Sequence, residues 1–510
     1  MNDNWKKIAH SDEIKEGELY VDEGVDDAIM LTRVGETICA CGRTCPHHGA
    51  PLEKGSIKDG IVTCPYHNAQ FKAGTGAVID APALDDLSTY EVKTENGEVY
   101  VGAESSHPIV MPEGSDKREV LIVGAGAAAN ACAEMLRRRG FSGRLTLFTK
   151  EHDLPYDRVN LSKGFISGGI TGDAMLLRSK QFYDSLEIGI ETDTEVIDLD
   201  PREKEISLSN NEKRKGDMIL IASGGRPKKL PIDGMNLDHV HMLRSWEDAR
   251  RIQEEASKIN KIAIIGAGFI SMELASDFAG MGKDVTVIAP EKSPGALVFG
   301  EKVGDWFQSL AEENGVSFRM GTQVNRLTGD RAVRSLDLSD GSTLPADLVI
   351  VAVGIQPAVD FLKSSGLVKD GVVPVNQDFK TEADSIYAAG DIASYPYPAL
   401  GRQLRVEHWV EAERQGRSAA LSMLGETNGH RRAPFFWTMQ YGTPLKFAGF
   451  PSSYDKTALA GDIGSGSFAV GYYSKDQLIG TAAVMMPDIL SKTEQALSEG
   501  KNITPEDFTE

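Results

Sequence analysis

The segment "REVLIVGAGAAANACAEMLRRRG" (118–140) runs from a buried apolar stretch through a glycine turn into a helical pattern, and "KIAIIGAGFISMELASDFAGMG" (261–282) repeats that plan. A short apolar run closed by glycine and followed by a helix predicts a parallel, doubly covered sheet. At Gly124 and Gly266 the chain must turn sharply. At Gly126 and Gly268 the backbone can approach a pyrophosphate, and the small Ala129 and Ser271 let helix lie close on strand. The helix N-terminus then faces the phosphates. Two α/β dinucleotide-binding domains are therefore expected within one chain of 510 residues. In the second, the strand "DVTVIA" ends at Ala289, where a carboxylate would meet an adenosine ribose; Glu291 comes two residues late and Lys292 follows. NADH is the preferred partner of this repeat, and NADPH stays open.

Ahead of the first repeat the chain changes character. Short alternating runs, "AIMLTRV", "TICAC", "GIVTCP", "TYEVKT" and "EVYVGA", separated by Gly, Asp and Asn turns, predict a small β domain over 1–104. The polar, unperiodic stretch 105–117 reads as a linker. Inside the β domain, Cys45 and His47 stand sixteen residues before Cys64 and His67. This places one sulfur and one nitrogen ligand on each of two loops. Zinc could take all four ligands at one tetrahedral centre, whereas a [2Fe-2S] cluster of mixed ligation needs two thiolates on one iron and two imidazoles on the other.

Proline follows both cysteines and Gly49 allows a tight turn. With these, "CPHHGAPL" and "CPYH" resemble the two cluster-binding loops of Rieske domains, which implies a Rieske [2Fe-2S] cluster held by Cys45, His47, Cys64 and His67. Where high-potential members carry a loop-bridging disulfide, this chain has Ala50 and Tyr66, which implies the ferredoxin-type branch and a potential toward the lower end of the Rieske range. Cys39 and Cys41, on the strand-like "TICAC", read as buried structural thiols or as a redox pair.

Beyond the second repeat, "TEADSIYAAGDIA" (381–393) ends a strand at Gly390-Asp391, able to offer a carboxylate and amides to a polyhydroxylated chain. The phrase resembles the second FAD fingerprint of the two-dinucleotide-domain flavoproteins, and "LPYDRVNLSKG" (154–164) is similar to an element of their ferredoxin reductase and apoptosis-inducing-factor branch. That resemblance implies that Arg158 and Lys163 contact FAD, that Glu151 binds its adenosine ribose, and that Glu273 pairs with Lys163 as a catalytic, flavin-tuning couple. It also implies that Glu407, His408, Trp409 and Trp437 lie near the isoalloxazine, and that Gly354 in "VAVGIQP" lies near the nicotinamide. The expected order is an FAD domain in two parts, 118–244 and 370–430, flanking an NAD(P) domain at 245–369, with a C-terminal α+β domain at 431–510. The fold class is thus multidomain, one all-β domain, two α/β domains and one α+β domain.

The chain carries 54 Lys and Arg against 75 Asp and Glu, a formal charge of -21, which disfavours nucleic acid or an anionic membrane as partner. Residues 1–104 hold 9 of the basic and 19 of the acidic residues, as a solvated acidic surface or one built to dock a basic redox partner. No apolar run follows the lysines near Met1, and none reaches membrane-spanning length, so a cytoplasmic chain without a membrane span is expected. Only Cys132, inside a predicted helix, lies near the flavin segments, so no redox dithiol is available. An NAD(P)H-dependent FAD reductase that passes electrons through its own cluster to an unidentified acceptor follows from these parts. Rival readings are a fused reductase and ferredoxin component of a Rieske oxygenase system, and a redox-sensing interaction protein. The likeness alone suggests a homodimer.

Overall fold

The computed structural model describes residues 5–22, 24, 28–427, 429–451 and 453–509. The acid-rich N-terminal domain holds a five-stranded antiparallel sheet and a smaller four-stranded one of Ser56–Lys58, Ile61–Thr63, Gln70–Lys72 and Val78–Asp80. The small sheet carries the second cysteine loop, and its core, with Met30, Leu52, Val62, Phe71 and Leu87, closes around Cys45 and Cys64.

Five parallel strands form the first α/β sheet, in the order Ile188–Glu191, Arg144–Phe148, Glu119–Val123, Met218–Ile221, Ile386–Ala388. The last strand comes from beyond residue 380, so both flanks of the chain build one sheet and the second repeat is inserted between them. That insert has its own parallel sheet, in the order Val240–His241, Leu348–Val351, Lys261–Ile265, Asp284–Ala289, Ser317–Met320. Its edge strand, Val240–His241, lies ahead of residue 245. A five-stranded antiparallel sheet and the helices Pro487–Glu499 and Pro505–Thr509 complete the C-terminal domain. Among the described residues no helix is long and apolar enough to cross a membrane.

One loop fixes the N-terminal domain against the rest. In "DAPALDD" (80–86) three carboxylates and two carbonyls meet four arginines of the first α/β domain. Arg414 forks onto Asp80 at 2.9 and 2.6 Å, and Arg178 forks onto Asp85 at 2.7 and 2.8 Å. Arg138 reaches Asp86 at 3.1 Å and the Leu84 carbonyl at 2.6 Å, while Arg417 donates to the Ala83 carbonyl at 2.7 Å. The Arg414 and Asp80 side chains are only 3% and 6% exposed, and Arg414 also binds Glu494 of the C-terminal helix at 3.1 Å. The acidic character of the first domain is thus matched in part by a basic face within the same chain.

Removing one member of such a buried set strands the others without a counter-charge. Arg414→Met is expected to cost about 3–5 kcal/mol, read as an earlier chemical-denaturation transition of the N-terminal domain, and an unchanged transition would show that the set is not what seats it.

Candidate functional site

The two cysteine loops are built alike. Cys45 N–H bonds the Ala50 carbonyl at 2.9 Å and Gly49 N–H bonds that of Cys45 at 2.9 Å; Cys64 N–H bonds the Ala69 carbonyl at 2.8 Å and Asn68 N–H bonds that of Cys64 at 3.2 Å. The fourth residue after each cysteine is left-handed, Gly49 at φ 69° and Asn68 at φ 60°. Glycine and asparagine reach that region at little cost. Each loop turns amides onto its own sulfur, those of His47 and His48 onto Cys45, those of Tyr66 and His67 onto Cys64. The loops also bring their histidines together, with the two Nδ1 atoms 3.0 Å apart.

This donor set fits a metal cluster. A hydrogen bond between the sulfurs lowers the Cys64 thiol below its ordinary value and raises that of Cys45, as two thiols sharing one proton do. Burial lowers His47 to about 3 and takes His67 well below the ordinary histidine value, which keeps both rings in the neutral form a metal requires. Cys41 is buried, with its thiol pushed up to about 12 by desolvation, and all five cysteines are free.

A cavity of about 440 Å³ opens between the α/β domains and the C-terminal sheet. Gly126, Ala128, Arg158, Gly224, Gly390 and Asp391 line one end. Lys163, Glu273, Glu407, His408, Trp409 and Trp437 also line the cavity, as do Gly268 and Gly354 of the inserted domain. At Gly124 and Gly266, with φ 118° and 107°, a Cβ would lie 2.2 Å from the Ala222 carbonyl and 2.4 Å from that of Ala352. Only glycine permits those turns. Nothing stands within 4 Å of a Cβ built at Gly268, so that backbone faces open space a pyrophosphate could fill. Ala129 and Ser271 are fully buried where helix meets strand.

Lys163 Nζ lies 2.7 Å from Glu273 Oε1, and the same carboxylate accepts from Ser162 at 2.6 Å and Thr438 at 2.7 Å. Glu151 is absent from the cavity wall; its carboxylate takes Arg158 at 2.5 Å and the Tyr156 hydroxyl at 2.6 Å. Arg244 joins Asp391 at 3.0 Å. Glu291 keeps one carboxylate oxygen buried without a hydrogen-bond partner, while Lys292 is drawn to Glu301 at 2.8 Å. Behind the wall, Gln415 accepts from the Gly390 amide at 2.7 Å and donates to Glu411 at 3.2 Å, and Glu411 pairs with His430 at 2.8 Å.

Trp437 belongs to both places. It lines the cavity, and its ring lies 4.1 Å, centroid to centroid, from that of His67. Lys446 donates to the Pro65 carbonyl and Asn68 to Glu494 at 2.7 Å, tying the second cysteine loop to the C-terminal domain. Sequence reasoning missed Asn68, Lys446 and the four arginines. Asn68 repeats the loop position of Gly49 and could have been found by that register; the arginines carry no local signal.

The pyridine nucleotide-disulphide oxidoreductase family matches residues 118–416, the Rieske [2Fe-2S] domain 4–91 and the reductase C-terminal domain 435–510. The chain belongs to the pyridine nucleotide-disulphide oxidoreductase family. It is 33% identical to human (Homo sapiens) apoptosis-inducing factor 3 over 97% of this chain and 84% of that one. It is 31% identical to the ferredoxin–NAD(+) reductase subunit of the benzene 1,2-dioxygenase system of Pseudomonas putida, over 68% and 84%. Among solved structures, the putidaredoxin reductase–putidaredoxin complex superposes with a TM-score of 0.75 at 27% identity, covering 78% of this chain and 96% of that one. The protein is an FAD-dependent NAD(P)H oxidoreductase carrying a Rieske domain. Although the family is named for disulphides, Cys132 is fully buried in the helix Ala127–Arg138, and among the described residues no dithiol faces the cavity.

Lys163→Met removes the cation from the cavity and leaves Glu273 unopposed. Stopped-flow reduction of the flavin by NADH is expected to slow roughly ten- to hundredfold; an unchanged rate would remove the pair from the chemistry. The Glu411 carboxyl is held down to about 2 by His430 and Arg414, against its burial. Because its folded value lies below the unfolded one, its contribution is present above about pH 4.5 and is lost as pH falls toward 2. Flavin release, followed by fluorescence, should therefore rise across that window, and Glu411→Gln should bring release on at neutral pH.

Proposed function

We propose that the chain is an NADH-dependent flavoprotein reductase that sends electrons, one at a time, through its own Rieske cluster to an external acceptor. Trp437 carries the reading, because one indole ring lines the cavity and also packs on His67 of the second cysteine loop. When bound, nicotinamide supplies a hydride, FAD parts its two electrons, and the cluster takes one at a time.

The protein's own residues supply position and field. Gly126, Arg158, Gly390 and Asp391 form one end of the cavity, where amides, a guanidinium and a carboxylate suit the diphosphate and polyol of FAD. Lys163, held by Glu273, places positive charge on the wall where reduction would add negative charge. Glu291 stands two residues past the strand end, where its carboxylate would repel a 2'-phosphate, and Lys292 is already paired with Glu301, so the arrangement favours NADH over NADPH. The cluster loops would hold iron through Cys45 and Cys64 and through His47 and His67.

Anaerobic titration with NADH, followed by absorbance and electron paramagnetic resonance, tests the path directly. A reduced Rieske signal is expected as the flavin bleaches; an iron-loaded cluster that stays oxidised would overturn it. Trp437→Leu should slow cluster reduction relative to flavin bleaching by roughly tenfold, and Trp437→Phe, which keeps a ring against His67, should restore most of the loss.

A further inference from the structure

The cysteine loops raise a question that the internal path leaves open, namely how an electron gets out. His67 is buried beneath Trp437, and both sulfurs are buried in the domain core. The domain is held there by the 80–86 loop and by a second set of contacts on the cluster loop itself, Lys446 on Pro65, Asn68 on Glu494 and Arg432 on Gln70. A domain that shuttled between its reductase and a distant acceptor would be joined by exposed, easily exchanged pairs, whereas Asp80, Arg414 and Glu494 are almost fully buried.

Two rings lead outward from the ligands while the domain is seated. His48 packs on His47 with centroids 3.9 Å apart; its side chain is 41% exposed, with Nε2 4.0 Å from the buried Asp157 of the first α/β domain. Tyr66 meets the edge of His67 at 6.1 Å and is 48% exposed, among the largest exposed apolar groups of the described residues. Both lie on the cysteine loops, beside the exposed Pro46 and Gly49.

Resting on the internal path proposed above, we infer that the cluster discharges without leaving its seat, through the edge formed by His48 and Tyr66, to a basic one-electron acceptor protein that comes to it. The step moves one electron, oxidising the cluster and reducing the acceptor by one equivalent each, and transfers no atoms. The chemistry of the acceptor follows from charge. The chain carries -21 overall, and its first 104 residues hold 19 acidic against 9 basic residues. Of those acidic residues, Asp80, Asp85 and Asp86 are taken up by the internal seat. The remaining field steers a basic partner toward the domain and repels an acidic one.

Lys58 and Gln495 meet across the seam at 2.7 Å on exposed surface, one residue along the helix from the Glu494 that holds Asn68. A Lys58→Cys/Gln495→Cys variant of the full, cofactor-loaded chain, joined by a short bismaleimide, holds the domain in place. Cytochrome c serves as the basic acceptor, with NADH as donor. Linked protein is expected to reduce cytochrome c within about twofold of the unlinked variant. A loss of more than about tenfold, with the cluster still reduced by NADH in paramagnetic resonance, would show that the domain must swing and would overturn the inference alone. A cluster that stays oxidised in both forms would instead overturn the internal path and the inference with it. For the outlet, Tyr66→Lys should raise the KM for cytochrome c more than it lowers kcat, with the cluster spectrum and potential preserved. An unchanged KM under those conditions would place the exit elsewhere.

Discussion

The contact on which the rest depends is the fork of Arg414 onto Asp80, closed by Glu494 and shut away from water. Taking three charged groups out of solvent costs nearly what their attraction returns, so this set adds little net stability compared with an apolar patch of the same size. It adds orientation. An apolar patch tolerates sliding and rotation, but a guanidinium that must satisfy two carboxylates and the Ala433 carbonyl at 2.7 Å has one arrangement. The contact of Trp437 with His67, at 4.1 Å, depends on that arrangement, since a shift of a few ångströms along the seam would part the rings.

A single strand then links the two chemistries. In Phe435–Gln440 successive side chains point to opposite faces of the sheet. Phe436 stacks on His408 at 4.3 Å and Thr438 donates to Glu273, both on the cavity side. Trp437, between them in sequence, turns toward the cysteine loops while its ring still borders the cavity. The period of a β-strand is enough to place the hydroxyl that holds Glu273 and the indole that faces the cysteine loops on adjacent residues. The pairing of this strand with Thr443–Gly449, which also carries Lys446, fixes both sides of the seam together.

Most of this was legible where chemistry is local. Glycine turns at 124 and 266, the cysteine loops, and the Gly390-Asp391 strand end are written in consecutive residues, because a turn or a ligand loop imposes its residue types at fixed spacing. The strand runs in the first domain were legible for the same reason, while Lys6–His10, Ser56–Lys58, Gln70–Lys72 and Val78–Asp80 were too short to show a period. The Lys163 and Glu273 pair came from family likeness, and the structure sets them 2.7 Å apart although 110 residues separate them. The seam was not legible at all. An arginine in the helix Trp409–Met423 looks like a solvated charge until the fold brings Asp80 to it from 334 residues away.

Joining the two modules in one chain changes what limits the electron's progress. A separate ferredoxin must find its reductase, turn correctly, leave and find its acceptor, and each encounter depends on concentration and salt. A tether alone would raise the local concentration to the millimolar range and make the first encounter intramolecular, yet would still let the domain leave. On the proposed internal path the buried pairs here would go further, removing the encounter instead of accelerating it. Only the meeting with an outside acceptor would then remain bimolecular. The charge left on the surface of the N-terminal domain therefore acts at that one step, and ionic strength should bear on acceptor reduction while leaving reduction of the cluster by NADH nearly untouched.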